Sequence, residues 1–117
     1  MEMKTYASGS AKVLKLSGSF DAYSSGPARA WFEEVTARPP ARIIVNLEAV
    51  HFLDSTALSV LVQGMKRARQ GGGDVRLCNM QRPVRMVFEL TRLDRVFEIF
   101  NSEDDAIQAA TDETIQV

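Results

Sequence analysis

The residues with most chemical potential stand together in "FLDSTALSVLV", Phe52 to Val62, where Asp54, Ser55 and Thr56 put one carboxylate beside two hydroxyls. A serine acts as a nucleophile only with a base to take its proton. The chain has one histidine, His51, four residues upstream, and lacks the G-x-S-x-G elbow of the hydrolases. His51 reads as a surface or half-buried side chain. The glycine run at Gly71 to Gly73 is not followed by Lys-[ST], so it terminates a helix rather than cradling phosphate. Cys78 is the single cysteine, which excludes an internal disulfide and a multi-cysteine metal site and fits a reducing compartment. It reads as a small buried hydrophobe in an apolar strand, and the methionines as core filler. No catalytic or metal constellation is expected, and no cofactor.

Two readings of the acid-hydroxyl cluster follow from local chemistry. If Asp54 is the N-cap of a helix, Leu53 and Leu58 fall at N′ and N4 and form a hydrophobic staple. Ser55 then takes the first helical position, beside unpaired N–H groups at the positive end of the helix dipole, where a phosphate is tolerated. Asp54 and Ser55 serve as capping residues only, or the turn holds an anion and Ser55 accepts chemistry.

The elements that position this turn can be read from periodicity. Residues 3–17 form two strands, "MKTYA" and "KVLKLS", joined by a turn at Ser8 to Ser10. Pro27 opens a helix whose stripe is Ala28, Trp31, Phe32 and Val35, ending before Pro39-Pro40. "RIIVNLEAV", 42–50, suits a central strand buried on both faces. Leu58, Leu61, Val62, Met65 and Ala68 define the clearest helix, running to the glycine run. "DVRLCNM" alternates as a strand, and Pro83 opens a helix carrying Val84, Val87, Phe88 and Leu90. "RVFEIF", 95–100, is a further strand, and Asp104 to Ala110 a last helix capped from "NSEDD". A hairpin followed by alternating helices and strands indicates an α/β domain with a mixed sheet.

The 117 residues, 45% of them apolar, suffice for one core. Fourteen basic against 15 acidic residues leave a formal charge of -1, which supplies no field for nucleic acid or an acidic membrane. The exposed basic set Lys66, Arg67 and Arg69 reads as a solvated helix face. No apolar run approaches the roughly 20 residues that cross a bilayer, and "MEMKTYASGS" lacks a signal-peptide core, so a cytoplasmic protein is expected.

The stretch from Ile43 to Phe100 resembles the STAS domains of bacterial anti-sigma factor antagonists, and the likeness covers nearly the whole chain. It is carried by Asn46-Leu47 at the strand end, the Asp54-Ser55-Thr56 turn, the Gly71 to Gly73 break and "VFELTRLDRVFEIF". Gly18, Phe20 and Asp21 match the family's G-x-[LIVF]-D segment. The resemblance implies a STAS fold over residues 1–117, a single α/β domain with a mixed sheet of about four to five strands and about four helices. It further implies that Ser55 is phosphorylated by an anti-sigma factor with serine kinase activity. The unphosphorylated domain binds that factor and releases sigma; phosphorylation ends binding, and a PP2C-type phosphatase restores it. Asp21, Asp54, Ser55 and Thr56 would then contact the partner. Asp21 also fits a loop cap, and Thr56 either a second acceptor or a polar residue of the first turn.

Ala57 and Ser59 stand where the family commonly has glycine, adding helix propensity and a methyl close to the acceptor. Arg92 replaces a common glycine before Leu93 at a tight turn. Two other STAS roles fit the resemblance: a cytoplasmic subunit of a lipid-transport ABC system, and a stressosome-type scaffold. A hydrolase or nucleotide-binding enzyme fits least, for want of a P-loop and a base.

Overall fold

A computed structural model describes residues 1–115. Strands β1 (Glu2–Ser8) and β2 (Ala11–Phe20) form the expected hairpin, with Gly9 at φ 60° in its turn. There follow α1 (Gly26–Thr36), β3 (Arg42–Leu53), α2 (Ser55–Gln70), β4 (Asp74–Cys78) and α3 (Arg82–Leu90). A 3-10 turn (Leu93–Arg95), β5 (Ile99–Phe100) and α4 (Glu103–Ile115) complete the chain. Among the described residues the sheet has five strands in the order β1-β2-β3-β4-β5, antiparallel only between β1 and β2.

Each parallel step needs a crossover, and the helices that provide it, α1, α2 and α3, cover one face of the sheet, while the C-terminal α4 covers the other. Strand β3 runs through the middle, and Ile43 to Leu47 are all buried. Its side chains alternate: Ile43, Val45 and Leu47 join Phe32, Leu61 and Phe88 under α1, α2 and α3. Ile44 turns to the other face, with Val13, Cys78, Ala106 and Ala110 beneath α4. Burial pushes the Cys78 thiol up to about 12, which makes it inert packing. Helices α1 and α2 meet where Phe32 lies against Gly64, whose missing side chain leaves room for the ring. The glycine run ends α2 as expected: Gly72 adopts φ 85° and the Gly73 N–H donates to Ala68 O at 2.8 Å. Gly73 must also be glycine because a Cβ there would lie 1.9 Å from Ala41 O.

Several strand boundaries and one stripe residue differ from the sequence expectation: β4 ends at Cys78, short of the expected Met80, where Asn79 turns left-handed at φ 60°. Strand β2 continues past Ser17 to Phe20, helped by Gly18 at φ 94°. Strand β3 continues to Leu53 and takes His51 and Phe52 with it. Only Ile99–Phe100 of the expected strand 95–100 pairs, because Phe97 instead drops into the core edge-to-face with Phe88 at 5.9 Å. Leu90 lies two residues beyond Phe88, on the far side of α3, and is 80% exposed rather than part of its apolar stripe.

Arg92 occupies the tight turn after α3 in a left-handed conformation, φ 64° and ψ 13°, so the turn survives the loss of glycine at the expense of backbone strain. Ser102 caps α4, its Oγ accepting from Asp105 N–H at 3.1 Å, with Glu103, Asp104 and Asp105 in the first turn.

Candidate functional site

The Asp54-Ser55-Thr56 cluster lies where β2 and β3 end together and their loops meet. Parallel strands pairing in an irregular register bring this about. Between Lys15 and Ser17 on β2, β3 advances from Asn46 to Ala49; between Gly18 and Ser19 it advances from Val50 to Phe52. Each shift gives β3 one residue more than β2, a bulge that turns the strand and re-aims side chains near its end. Phe52 therefore points outward, 51% exposed, while Leu53 is buried. The Asp54 N–H then donates to Phe20 O at 3.3 Å, closing the end of the β2-β3 ladder.

Asp54 is the N-cap of α2, with extended backbone (φ -108°, ψ -176°). One carboxylate oxygen accepts from the Ala57 N–H at 3.0 Å, the N3 donor of the helix. The other accepts from the Ala22 N–H, also at 3.0 Å, in the loop between β2 and α1. The same side chain thus caps α2 and ties down the neighbouring loop. The Ala57 amide, with further help from the Ala22 and Thr56 amides, holds the Asp54 carboxyl below its ordinary value. The staple residues are in place: Leu53 is buried and Leu58 packs half-buried against the same core.

Asp21 occupies the tied loop. Its carboxylate accepts from the Tyr23 N–H (3.0 Å) and the Ser24 N–H (3.1 Å), the geometry of an Asx turn. Ser24 braces it from below, its Oγ donating to Ser19 O at 2.8 Å and accepting from Asp21 N–H at 3.0 Å. The loop cap expected for Asp21 is present, and the cap stands beside the turn that carries Ser55. All four sequence-expected residues, Asp21, Asp54, Ser55 and Thr56, are gathered at one end of the sheet.

Ser55 takes the first helical position, exposed, and its hydroxyl has no hydrogen-bond partner among the described residues. Thr56 is half-buried beside it. The Ala57 methyl, expected close to the acceptor, is fully buried in the core beneath the turn. His51 Nε2 lies 3.2 Å from Ser19 Oγ across the strand pair, which is where its ring is engaged.

Two features of this surface escaped sequence reasoning. The Ala22 amide ties to Asp54 through a backbone group, which carries no residue-type signature. Tyr23, fully exposed in the same loop, and Phe52 give the site two aromatic side chains open to solvent. An aromatic residue in the polar run "GSFDAYSSGP" was the available signal for the first; the second depends on the bulge.

The basic residues of α2 do other work: Arg67 lies 3.7 Å from Glu33, and Arg69 bonds Asp74 Oδ1 at 2.8 Å and Val96 O at 2.7 Å. Lys66 is exposed on the same helix. Among the described residues no group of three or more His, Cys, Asp or Glu is placed to hold a metal, and no helix is long and apolar enough to cross a membrane.

Residues 2–106 match the family model described as "STAS domain". The chain is similar to the anti-sigma F factor antagonist of Paenibacillus polymyxa, 27% identical over 96 residues that span 81% of this chain and 82% of that one. It also resembles the crystal structure of an anti-sigma factor antagonist from Mycobacterium paratuberculosis, with a TM-score of 0.81, 25% identity and coverage of 94% and 93% of the two chains. The phosphorylated form of the Bacillus cell fate determinant SpoIIAA shares the fold, with a TM-score of 0.75, 22% identity and coverage of 92% and 98%. With nearly its whole length matched and its architecture shared, the chain belongs to the STAS domain family.

Proposed function

We infer that this chain is an anti-sigma factor antagonist, a regulatory binding protein rather than an enzyme, switched by phosphorylation of Ser55. The observation that carries this reading is a division of labour at the start of α2: Asp54 supplies the cap, and the Ser55 hydroxyl beside it is exposed and unbonded. A serine used only for capping would accept from the helix N–H groups itself. The match to relatives named anti-sigma factor antagonists supports the same partner class.

In this reading the unmodified end of the sheet, with Asp21, Asp54, Ser55 and Thr56 at its centre, docks on a cytoplasmic anti-sigma factor that is also a serine kinase. Phosphorylation adds about 1.5 to 2 negative charges and three acceptor oxygens at the first turn of α2. The free N–H groups and dipole there tolerate the charge, so the domain stays folded. At the interface the same charge meets desolvated groups arranged for a neutral hydroxyl, and binding is lost. A PP2C-type phosphatase returns the domain to its binding form.

The test is incubation with ATP and the anti-sigma kinase of the same cell, followed by intact-mass measurement, site mapping and a binding assay. A single phosphate on Ser55 with loss of the complex supports the switch. A complex that forms equally well with the phosphorylated chain refutes it, and so does phosphate mapped only to another residue.

A further inference from the structure

A cavity of about 460 Å³ opens at the opposite end of the sheet, between the β1-β2 hairpin and α1. Its helical wall is Trp31, Glu34, Val35 and Arg38, spaced i, i+3, i+4 and i+7 along one face of α1. Lys12 at the start of β2 and Arg42 at the start of β3 close the sheet side. The volume falls within the roughly 300–1,000 Å³ typical of small-molecule sites. Ser55 follows the far ends of the same strands, roughly 30 Å away at about 3.3 Å per residue, so the switch does not account for this cavity.

Its chemistry is selective. Lys12 and Arg38 set two cations against the carboxylate of Glu34 and the half negative charge of the α1 C-terminus, and the balance is slightly positive. Trp31, half-buried and held edge-on to Phe32 at 5.4 Å, supplies a flat apolar wall.

We propose that this cavity binds a small organic anion with a flat aromatic body, its charge toward Lys12 and Arg38 and its ring along Trp31. The site is independent of the Ser55 switch.

The test uses the full chain and 2-naphthoate as probe, followed by two-dimensional amide NMR. Trp31 is the single tryptophan, so its indole N–H is one resolved reporter inside the cavity. Saturable shifts are expected at that signal and at the Lys12 and Arg38 amides. The cationic twin, 2-naphthylmethylammonium, should produce none that saturate. Lys12→Ala and Arg38→Ala, both at exposed positions, should each weaken naphthoate binding by about tenfold, and Glu34→Gln should tighten it several-fold. Ser55→Asp should leave the affinity unchanged. Equal affinity for the two probes, shifts centred outside the cavity, indifference to the charge variants, or no saturation at millimolar naphthoate would each overturn the proposal. Amide dispersion recorded for every variant separates lost binding from lost folding.

Discussion

Replacing Ser55 with aspartate places a permanent charge at the first helical position of α2. The hydroxyl removed is exposed and unbonded among the described residues, so no buried partner is left unsatisfied. The new carboxylate gains about 0.3–1 kcal/mol from the N-terminal end of the helix. Repulsion from the ionised Asp54 next to it offsets part of that gain. The net change in stability should lie within about 1 kcal/mol of zero, a shift in melting temperature of no more than about 4–8 °C for a domain of this size. At the interface the sum is different, because a like charge or a desolvated polar group facing the new carboxylate costs several kcal/mol, an affinity loss of about 100-fold or more. Thermal denaturation followed by circular dichroism reads the first number, and calorimetric titration with the anti-sigma factor reads the second. Ser55→Ala should match the parent chain in both. A Ser55→Asp variant that melts more than about 10 °C lower would show that the hydroxyl is structural. One that melts normally and binds with undiminished affinity would remove the α2 terminus from the interface.

Four further outcomes follow from the geometry. Asp54→Ala removes the acceptor for both the Ala57 and Ala22 amides, so hydrogen exchange at these two amides should accelerate while β3 stays protected; unchanged exchange at Ala22 would mean the loop is held by something else. Because the folded carboxyl titrates below its ordinary 3.8, the stability that the ionised form contributes is complete above that pH. It is lost as pH falls through the lower folded value, and an Ala22 amide shift titrating at or above 3.8 would contradict the clamp. Arg92→Gly relieves a left-handed backbone worth about 1–2 kcal/mol and forfeits about 0.5–1 kcal/mol to glycine's extra freedom. A melting temperature raised by about 2–6 °C is expected, and a decrease would show that the arginine side chain has its own role. Gly64→Ala puts a methyl 2.6 Å from the Phe32 ring, and overpacking of about 1–3 kcal/mol outweighs the roughly 1 kcal/mol gained in helix propensity. Denaturant titration should show net loss, restored in part by Phe32→Leu; a more stable single variant would mean the α1-α2 contact yields freely.

Features encoded over a few residues were the legible ones. The cap at Asp54, the staple from Leu53 to Leu58 and the stop at Gly71 to Gly73 each depend on side chains less than a turn or two apart, and each stands as the sequence implies. The buried strand at Ile43 to Leu47 was equally plain, since a run of β-branched residues after two prolines has few other uses. What failed depended on pairing between distant segments. The extension of β3 through Phe52 requires two bulges against β2, and periodicity within β3 cannot announce an irregularity in its partner's register. The tie from Asp54 to Ala22 joins residues 32 positions apart through a backbone amide. In the 95–100 segment, alternation suggested a strand, but the space beneath Phe88 drew Phe97 inward and left only two residues to pair.

In the proposed switch, the separation of the cap from Ser55 would let a modification at a helix terminus act on binding without acting on folding. Had serine been the cap, its phosphorylation would have replaced the acceptor that holds the first turn, and the switch would have altered α2 itself. Here the Ala57 donor is already taken by Asp54, the Ala57 methyl is locked in the core, and Ser55 faces solvent. A charge added at Ser55 therefore changes the surface potential of a fixed scaffold. Asp54 also bonds the loop that carries Asp21 and Tyr23, so that surface spans two loops held in one arrangement rather than one turn free to move. In the proposed switch, a partner that needs both loops would lose the complex through a single modified hydroxyl, and the domain that it releases would remain folded.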